Sequence, residues 1–183
     1  MKYSILIIII FSIISCSSPK PRKPISRSTS TFLKESIERN KTINKIEEDF
    51  FRKMMQNDTV NKYYNSDNGF WYFYNNKVTD NTIFPKKGNE VIINYEIRDV
   101  NNTIIYAKEE LGTKNQNAPG DRLYKVDREE FITGLQEGIK LMHKGEVVTF
   151  LFPSFKVFGV SGFQDRIAPN QPLIIQVYLK EIK

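Results

Sequence analysis

The sequence has little of the equipment on which most enzymes depend. Its 183 residues include one histidine, His143, and one cysteine, Cys16. A single histidine excludes a metal site built from several histidines, and a single cysteine excludes an internal disulfide. The chain also lacks a glycine-rich loop of the kind that cradles phosphate groups. We therefore predict neither a metal nor another cofactor.

The paired carboxylates give no sign of acid–base chemistry. Glu109-Glu110 and Glu129-Glu130 stand among lysines and arginines, which is typical of a solvated surface. An enzyme of this composition would have to act through the shape of a cavity and the exclusion of water. The net charge of +6 would permit a nucleic-acid partner. The N-terminus favours the cell envelope instead, so we predict no nucleic acid.

The N-terminus has the pattern of an export signal. A basic start, Met1-Lys2, precedes an apolar run over residues 4–14, which is short for a membrane span and typical of a signal peptide. The run ends in Ile13-Ile14-Ser15-Cys16, which resembles the lipobox of bacterial lipoproteins. The resemblance implies that residues 1–15 are removed and that a lipid on Cys16 anchors the protein to the membrane. An uncleaved anchor, or a secretory signal with an unrelated cysteine, is the alternative.

Residues 16–31 combine prolines, basic residues and a run of serine and threonine. Such a segment cannot bury enough apolar surface to order itself, so we predict a flexible tether. Its basic residues could rest on anionic headgroups, or the tether could simply be solvated. Because basic rather than acidic residues follow the cysteine, we expect the protein to face the periplasm.

Residues 32–56 place apolar side chains three or four positions apart, with one wider gap, which predicts an amphipathic helix. The apolar positions are Leu33, Ile37, Ile43, Ile46, Phe50 and Met54. A narrow stripe of this kind can pack on the domain that follows it or pair with its copy in a dimer. The sequence leaves both possibilities open.

Residues 69–183 have the pattern of one globular domain. Alternating apolar residues over 90–99 and 173–182 predict strands. Between the strands, Asn101-Asn102 tolerates the positive φ of a hairpin turn. Several antiparallel strands with one short helix predict an α+β domain, in which a curved sheet wraps over that helix.

The short helix has both of its ends marked in the sequence. Thr133 and Gln136 match a capping box, and Gly145 stands where a left-handed residue would end the helix. His143, near that end, is predicted to lie at the surface. Leu135, Ile139 and Met142 form one apolar face. The apolar pair Phe131-Ile132 comes directly before the helix. An apolar floor beside the N–H groups of a helix start can accept one carbonyl while excluding water.

Residues 132–138 resemble the helix motif of FKBP-type peptidyl-prolyl isomerases. Further segments agree with that family in order and spacing, so that the resemblance covers about residues 84–183. These segments are Pro85-Lys86-Lys87-Gly88, Asn94-Tyr95, residues 142–146, residues 153–159 and residues 167–173.

The resemblance implies an FKBP-like fold and an enzyme that rotates X–Pro bonds, here in proline-containing segments of exported proteins. With the lipobox, the chain resembles lipid-anchored members of the family that are associated with gliding motility. Taken alone, the residues that would line the cavity could equally be ordinary core. The implied cavity is formed by Tyr95, Ile105, Phe131, Ile132, Leu135, Phe158, Ile167 and Ile175. Leu135 would be its floor, and the Ile132 N–H would hold a substrate carbonyl.

The sequence departs from the family pattern at two positions. Phe158 stands where the family usually has a tyrosine, and Tyr106 stands where an aspartate is common. Another aromatic wall position falls on Arg122 or Leu123, because the register is open there. These departures favour a lower catalytic rate. Two rival functions are a non-catalytic chaperone that uses the same cavity and a structural lipoprotein of an envelope complex.

Overall fold

The structure is a computed structural model, which describes residues 29–79, 83–113, 118–128 and 132–183. The chain divides into two compact units, residues 1–36 and residues 37–183. Cys16, the lipobox, the predicted signal peptide and most of the predicted tether lie outside the described residues, and so does Phe131.

The described residues form three α-helices, seven strands and two short 3-10 turns. The helices are α1 (Thr29–Asn57), α2 (Lys108–Leu111) and α3 (Thr133–Ile139). The strands are β1 (Tyr64–Asn65), β2 (Trp71–Asn76), β3 (Glu90–Arg98), β4 (Ile104–Tyr106), β5 (Arg122–Lys125), β6 (Val147–Phe152) and β7 (Leu173–Ile182). The 3-10 turns are Ser154–Lys156 and Gly159–Ser161.

All seven strands join one antiparallel sheet. Six of them follow the order β1-β2-β6-β7-β3-β4, and β5 pairs with β3 outside this order. The outer edge of β3 is shared, because β5 pairs with its first half and β4 with its end. This architecture confirms the predicted α+β fold. The hairpin prediction also holds, since Asn102 has a φ of 68° between β3 and β4.

The sheet has an inner face that packs against α3. In β3 the residues alternate between buried and half-buried along the whole strand, which is the two-residue period of a pleated strand. Directly opposed residues share a face, so the pairs Tyr95–Val177 and Phe150–Ile175 lie on the inner face together. All four of these side chains are buried in the main core.

Helix α3 lies unusually close to this face because two of its residues have no side chain. A Cβ on Gly134 would lie 2.7 Å from the Phe152 ring, and one on Gly138 would lie 2.8 Å from the Phe150 ring. The two phenyl rings are stacked on each other, with centroids 5.4 Å apart. Gly134 and Gly138 are one helical turn apart, so the helix rests directly on this pair of rings.

Two details of the predicted helix were wrong. Helix α3 ends at Ile139, and its N-cap is Ile132, with no side-chain capping bond. Thr133 is therefore the first helical residue rather than the cap. Gly145 does have positive φ, at 90°, but it lies in a turn closed by the Glu146 N–H and the His143 carbonyl.

The outer face of the sheet is covered by the second half of α1. Phe51, which is fully buried, packs with Leu151 and Ile174 in a second apolar cluster. The buried carboxylate of Glu47 accepts hydrogen bonds from the Ser154 N–H and the Ser154 hydroxyl, both 2.7 Å long. The second half of α1 therefore docks on its own domain through Glu47 and Phe51, and the predicted stripe was wrong, since Leu33, Ile37, Ile46 and Phe50 are exposed. Helix α1 begins at Thr29, inside the segment interpreted as tether. Pairing with a second copy stays a prediction.

We expect Gly138→Ala to lower the free energy of unfolding. Alanine would gain about 1 kcal/mol of helix propensity. The added methyl group would, however, meet the Phe150 ring at 2.8 Å, and such overpacking costs about 1–3 kcal/mol. Urea denaturation checks the result. Thr133→Ala, at an exposed position of the same helix, is the matched control. An unchanged or increased unfolding free energy for Gly138→Ala would contradict this account of the packing.

Candidate active site

Seven of the eight predicted cavity residues lie in one hydrophobic cluster. Four of them are fully buried and three are partly buried at its margin. The buried residues are Tyr95, Leu135, Ile167 and Ile175, and the marginal residues are Ile105, Ile132 and Phe158. The structure thus brings together side chains from β3, β4, α3, β7 and the segment between β6 and β7. The eighth, Phe131, lies outside the described residues.

The sheet and α3 supply the rigid part of this cluster. Ile175 lies opposite Ile97 and Phe150 in the middle of the sheet. Leu135 projects from α3 and is completely buried. Ile132 is half-buried directly before the helix, and its carbonyl accepts the Gln136 N–H at 3.0 Å. N–H groups at a helix start have no partner within the helix, and the role of the Ile132 N–H as a donor to substrate stays a prediction.

The register between β3 and β5 shows whether Arg122 or Leu123 occupies the wall position that the sequence left unassigned. Arg122 lies opposite Ile93, and Leu123 lies opposite Ile92. Ile93 is on the inner face with Tyr95, so Arg122 faces the cluster and Leu123 faces away from it. The guanidinium of Arg122 hydrogen-bonds the Tyr95 hydroxyl. Burial raises the pKa of Tyr95, and the positive charge of Arg122 offsets part of that effect.

Residues 157–172, called the closing loop below, connect β6 to β7 and are held by internal contacts. Phe163 and Ile167 exchange two backbone hydrogen bonds, 2.9 and 3.1 Å long, around a turn in which Gln164 has a φ of 48°. The Phe163 ring stacks on Phe158 at 4.7 Å. Phe158, which lacks the usual hydroxyl, is therefore held by a ring contact. Sequence reasoning missed Phe163 and Gln164.

The second departure from the family pattern also has a structural use. Tyr106 is almost fully buried, and its hydroxyl donates to the Gln164 side-chain carbonyl at 2.7 Å. Tyr106 thus connects the end of β4 to the closing loop. An aspartate at this position would be too short to make the same connection while filling the core.

The described part of the chain holds little that could act as an acid, a base or a metal ligand near the cluster. No group of three or more metal-ligating side chains occurs there. Glu109 and Glu110 are exposed, as expected, whereas Glu129 and Glu130 lie outside the described residues. One prediction was wrong: His143 is mostly buried, and its ring packs on Phe84 at 4.0 Å.

The His143 environment shows why surface exposure was the wrong expectation. The fully buried carboxylate of Glu146 accepts the His143 backbone N–H at 2.8 Å and lies 3.3 Å from its ring nitrogen Nδ1. The same carboxylate accepts the Val78 N–H. The histidine belongs to a structural network of the turn after α3, in which the Glu146 carboxylate accepts two backbone N–H groups.

The described candidate residues form one apolar cluster, and comparison with known proteins identifies the family. The family model for FKBP-type peptidyl-prolyl cis-trans isomerase matches residues 81–180. The chain belongs to this family. A search of curated proteins finds no significant match.

Two solved structures show the same fold. A peptidyl-prolyl cis-trans isomerase from Pseudomonas syringae pv. tomato is 19% identical, with a TM-score of 0.58, over 78% of this chain and 95% of that one. FkpA from Escherichia coli is 18% identical, with a TM-score of 0.60, over 100% of this chain and 82% of that one. At this level of identity the likeness concerns the fold.

The chemistry of the family does not depend on an acid or a base. Rotation about a peptide bond has a barrier of about 18–20 kcal/mol, because resonance stiffens the C–N bond. Water stabilises the charge-separated planar amide, so transfer of an X–Pro bond into an apolar cavity lowers the cost of twisting it. The reaction needs no proton transfer and no covalent intermediate. Partly exposed Ile105, Ile132 and Phe158 lie at the margin of the cluster, where apolar side chains of this kind are needed.

We expect Phe158→Tyr to raise kcat/KM for a short X–Pro peptide. The added hydroxyl restores the donor that the family usually has at this position, and one neutral hydrogen bond is worth about 0.5–1.5 kcal/mol, or about two- to tenfold. Rates of cis–trans exchange, measured by NMR, check the result. Phe155→Tyr makes the same change at an exposed ring outside the main core and serves as control. Equal or lower activity of Phe158→Tyr would show that the absent hydroxyl does not limit catalysis.

Proposed function

We propose that this isomerase is anchored by a lipid on Cys16, faces the periplasm and assists the folding of exported proteins. The observation that carries the proposal is the motif Ile13-Ile14-Ser15-Cys16, placed after a basic and apolar N-terminus. The remainder of the chain belongs to a family of isomerases. An anchored isomerase of this kind would meet its substrates as they emerge unfolded on the far side of the membrane.

The segment after Cys16 supports the same location. Lys20, Arg22 and Lys23 follow the cysteine closely, and each basic residue near an anionic surface contributes about 1 kcal/mol to binding. A lipid chain combined with a basic patch anchors a protein more stably than one chain alone. Among the described helices, none has the length and apolarity to cross a membrane.

The substrates that fit the cavity are flexible segments containing X–Pro bonds. The combination of lipobox, aromatic strand and isomerase domain resembles the gliding-motility lipoprotein isomerase GldI. This likeness supports components of a gliding machinery as beneficiaries. The aromatic strand is β2, whose Trp71 and Phe73 join the outer cluster with α1 while Tyr72 and Tyr74 pack against the main core.

A non-catalytic chaperone is the second candidate, and one observation favours it. The cavity margin lacks the usual tyrosine hydroxyl at Phe158, so a bound peptide would lose a polar contact while keeping its apolar ones. Such a site holds proline-containing segments better than it rotates them. Catalysis and holding can be separated by experiment.

We expect Cys16→Ser to release the protein from the membrane fraction of an expressing bacterium. The serine hydroxyl cannot replace the thiol as the site of lipid attachment. Fractionation and intact-mass measurement check the result, with the wild-type chain carrying a lipid mass that the variant lacks. Ser17→Ala, at the next position, serves as control and should stay in the membrane. A wild-type chain without lipid, or a Cys16→Ser chain that stays membrane-bound, would overturn the anchor.

We expect the wild-type chain to accelerate cis–trans exchange of a short X–Pro peptide and Phe131→Ala to lose most of that activity. The resemblance places this ring in the cavity wall, so its truncation removes apolar surface from the reacting bond. NMR exchange rates check the result, alongside the delay of aggregation of an unfolded test protein. If the wild type delays aggregation but accelerates no exchange, the chaperone replaces the enzyme.

A further inference from the structure

One side chain of the closing loop reaches two elements on the other side of the cavity. Arg166 donates from Nη1 to the Ile105 carbonyl at 2.8 Å and from Nη2 to the Glu110 carboxylate at 2.7 Å. Its guanidinium also lies over the Tyr106 ring, 4.4 Å from the centroid. These three partners belong to β4 and α2, about 60 residues earlier in the chain.

The contacts continue from Arg166 to the wall of the cavity. Tyr106 meets the Phe163 ring at 5.9 Å, and Phe163 stacks on Phe158 at 4.7 Å. Ile167, the neighbour of Arg166, is itself buried in the cluster. Arg166 therefore joins two parts of the candidate site, because it bonds the Ile105 carbonyl directly and is connected to Phe158 through the rings of Tyr106 and Phe163.

The closing loop has few other polar connections to that side. Its short backbone bonds, Phe163 with Ile167 and the Asn170 N–H with the Gly159 carbonyl, stay within the loop. Among the hydrogen bonds of the described residues, the loop reaches β4 and α2 through Arg166 and through Gln164 with Tyr106. The hydrogen bond from Arg166 also holds the pKa of the Glu110 carboxyl below its usual range, so the pair is charged at neutral pH.

We propose that Arg166 is a positioning residue of the isomerase, which holds the closing loop against β4 in the arrangement that binds peptide. Without the contacts of Arg166, the closing loop spends part of its time away from β4, and Ile105 and Ile167 are then apart. The apparent affinity for a ligand falls by the fraction of molecules in the competent arrangement. Bound substrate holds the loop against β4, so the rotation of the bound X–Pro bond, and with it kcat, is unaffected. The inference rests on isomerase activity.

The test compares purified full-length wild type with Arg166→Ala and Arg166→Lys. For Arg166→Ala we expect KM for an X–Pro peptide to rise about five- to tenfold while kcat changes less than about twofold, as a smaller competent fraction requires. Lysine keeps the charge but cannot bond both partners while stacking on Tyr106, so its KM should be intermediate. Hydrogen exchange in residues 157–172 should speed up in the order wild type, lysine, alanine.

Two further variants separate positioning from general stability. Glu110→Gln weakens one of the three contacts and should raise KM less than Arg166→Ala does. Arg52→Ala breaks another exposed pair, to Glu48 on α1, and should leave KM and loop exchange unchanged. Since Arg166 is about half exposed, the urea midpoint of Arg166→Ala should stay at the wild-type value.

The outcomes are distinct. A wild-type KM and wild-type loop exchange in Arg166→Ala overturn the inference while isomerase activity stands. A fall in kcat at constant KM also overturns it, because Arg166 would then act in the chemical step. A wild-type chain that accelerates no exchange overturns isomerase activity, and with it this inference.

Discussion

The close approach of α3 to the stacked rings of Phe150 and Phe152 is the constraint on which the rest of the molecule depends. Gly134 and Gly138 let the helix backbone lie directly on those rings. That distance places Leu135 deep in the core and leaves Ile132 at the margin of the cavity. A larger gap would leave a void beneath the helix, and protein interiors do not retain such voids without a cost.

The candidate site is a product of tertiary structure rather than of any one segment. Its described residues come from three strands, one helix and one loop, and each contributes ordinary apolar side chains. The reaction requires an apolar surface of suitable shape that excludes water. Catalysis is therefore a property of the assembled site rather than of one residue. Polar groups at the margin, such as the Arg122–Tyr95 contact and the Tyr106–Gln164 bond, fix the walls rather than react.

The sequence was most informative where the physics is local. The alternation in β3 and β7, the Asn101-Asn102 turn and the motif around α3 each depend on a few neighbouring residues, and each pointed to the observed element. The fold class followed from their order. The seven described cavity residues also fell into one cluster, because the resemblance carried spatial information that composition lacks.

What the sequence could not show depends on pairings between distant segments. Only the register between β3 and β5 tells whether Arg122 or Leu123 faces the core. The burial of His143 depends on Glu146 and Phe84, and the partners of Arg166 lie near residue 106. The docking of α1 likewise depends on Leu151 of β6 and Ile174 of β7. From the alternation of each strand alone, these outward-facing residues would be expected to face solvent.

The contact between Glu47 and Ser154 has a consequence for where the folding unit begins. A domain cut after residue 57 would lose the carboxylate that satisfies a nearly fully buried hydroxyl and N–H. Each buried polar group left without a partner costs about 1–3 kcal/mol, and Leu151 and Ile174 would face water as well. The second half of α1 thus stabilises the domain, and a fragment that begins after residue 57 would be less stable than one that keeps Glu47.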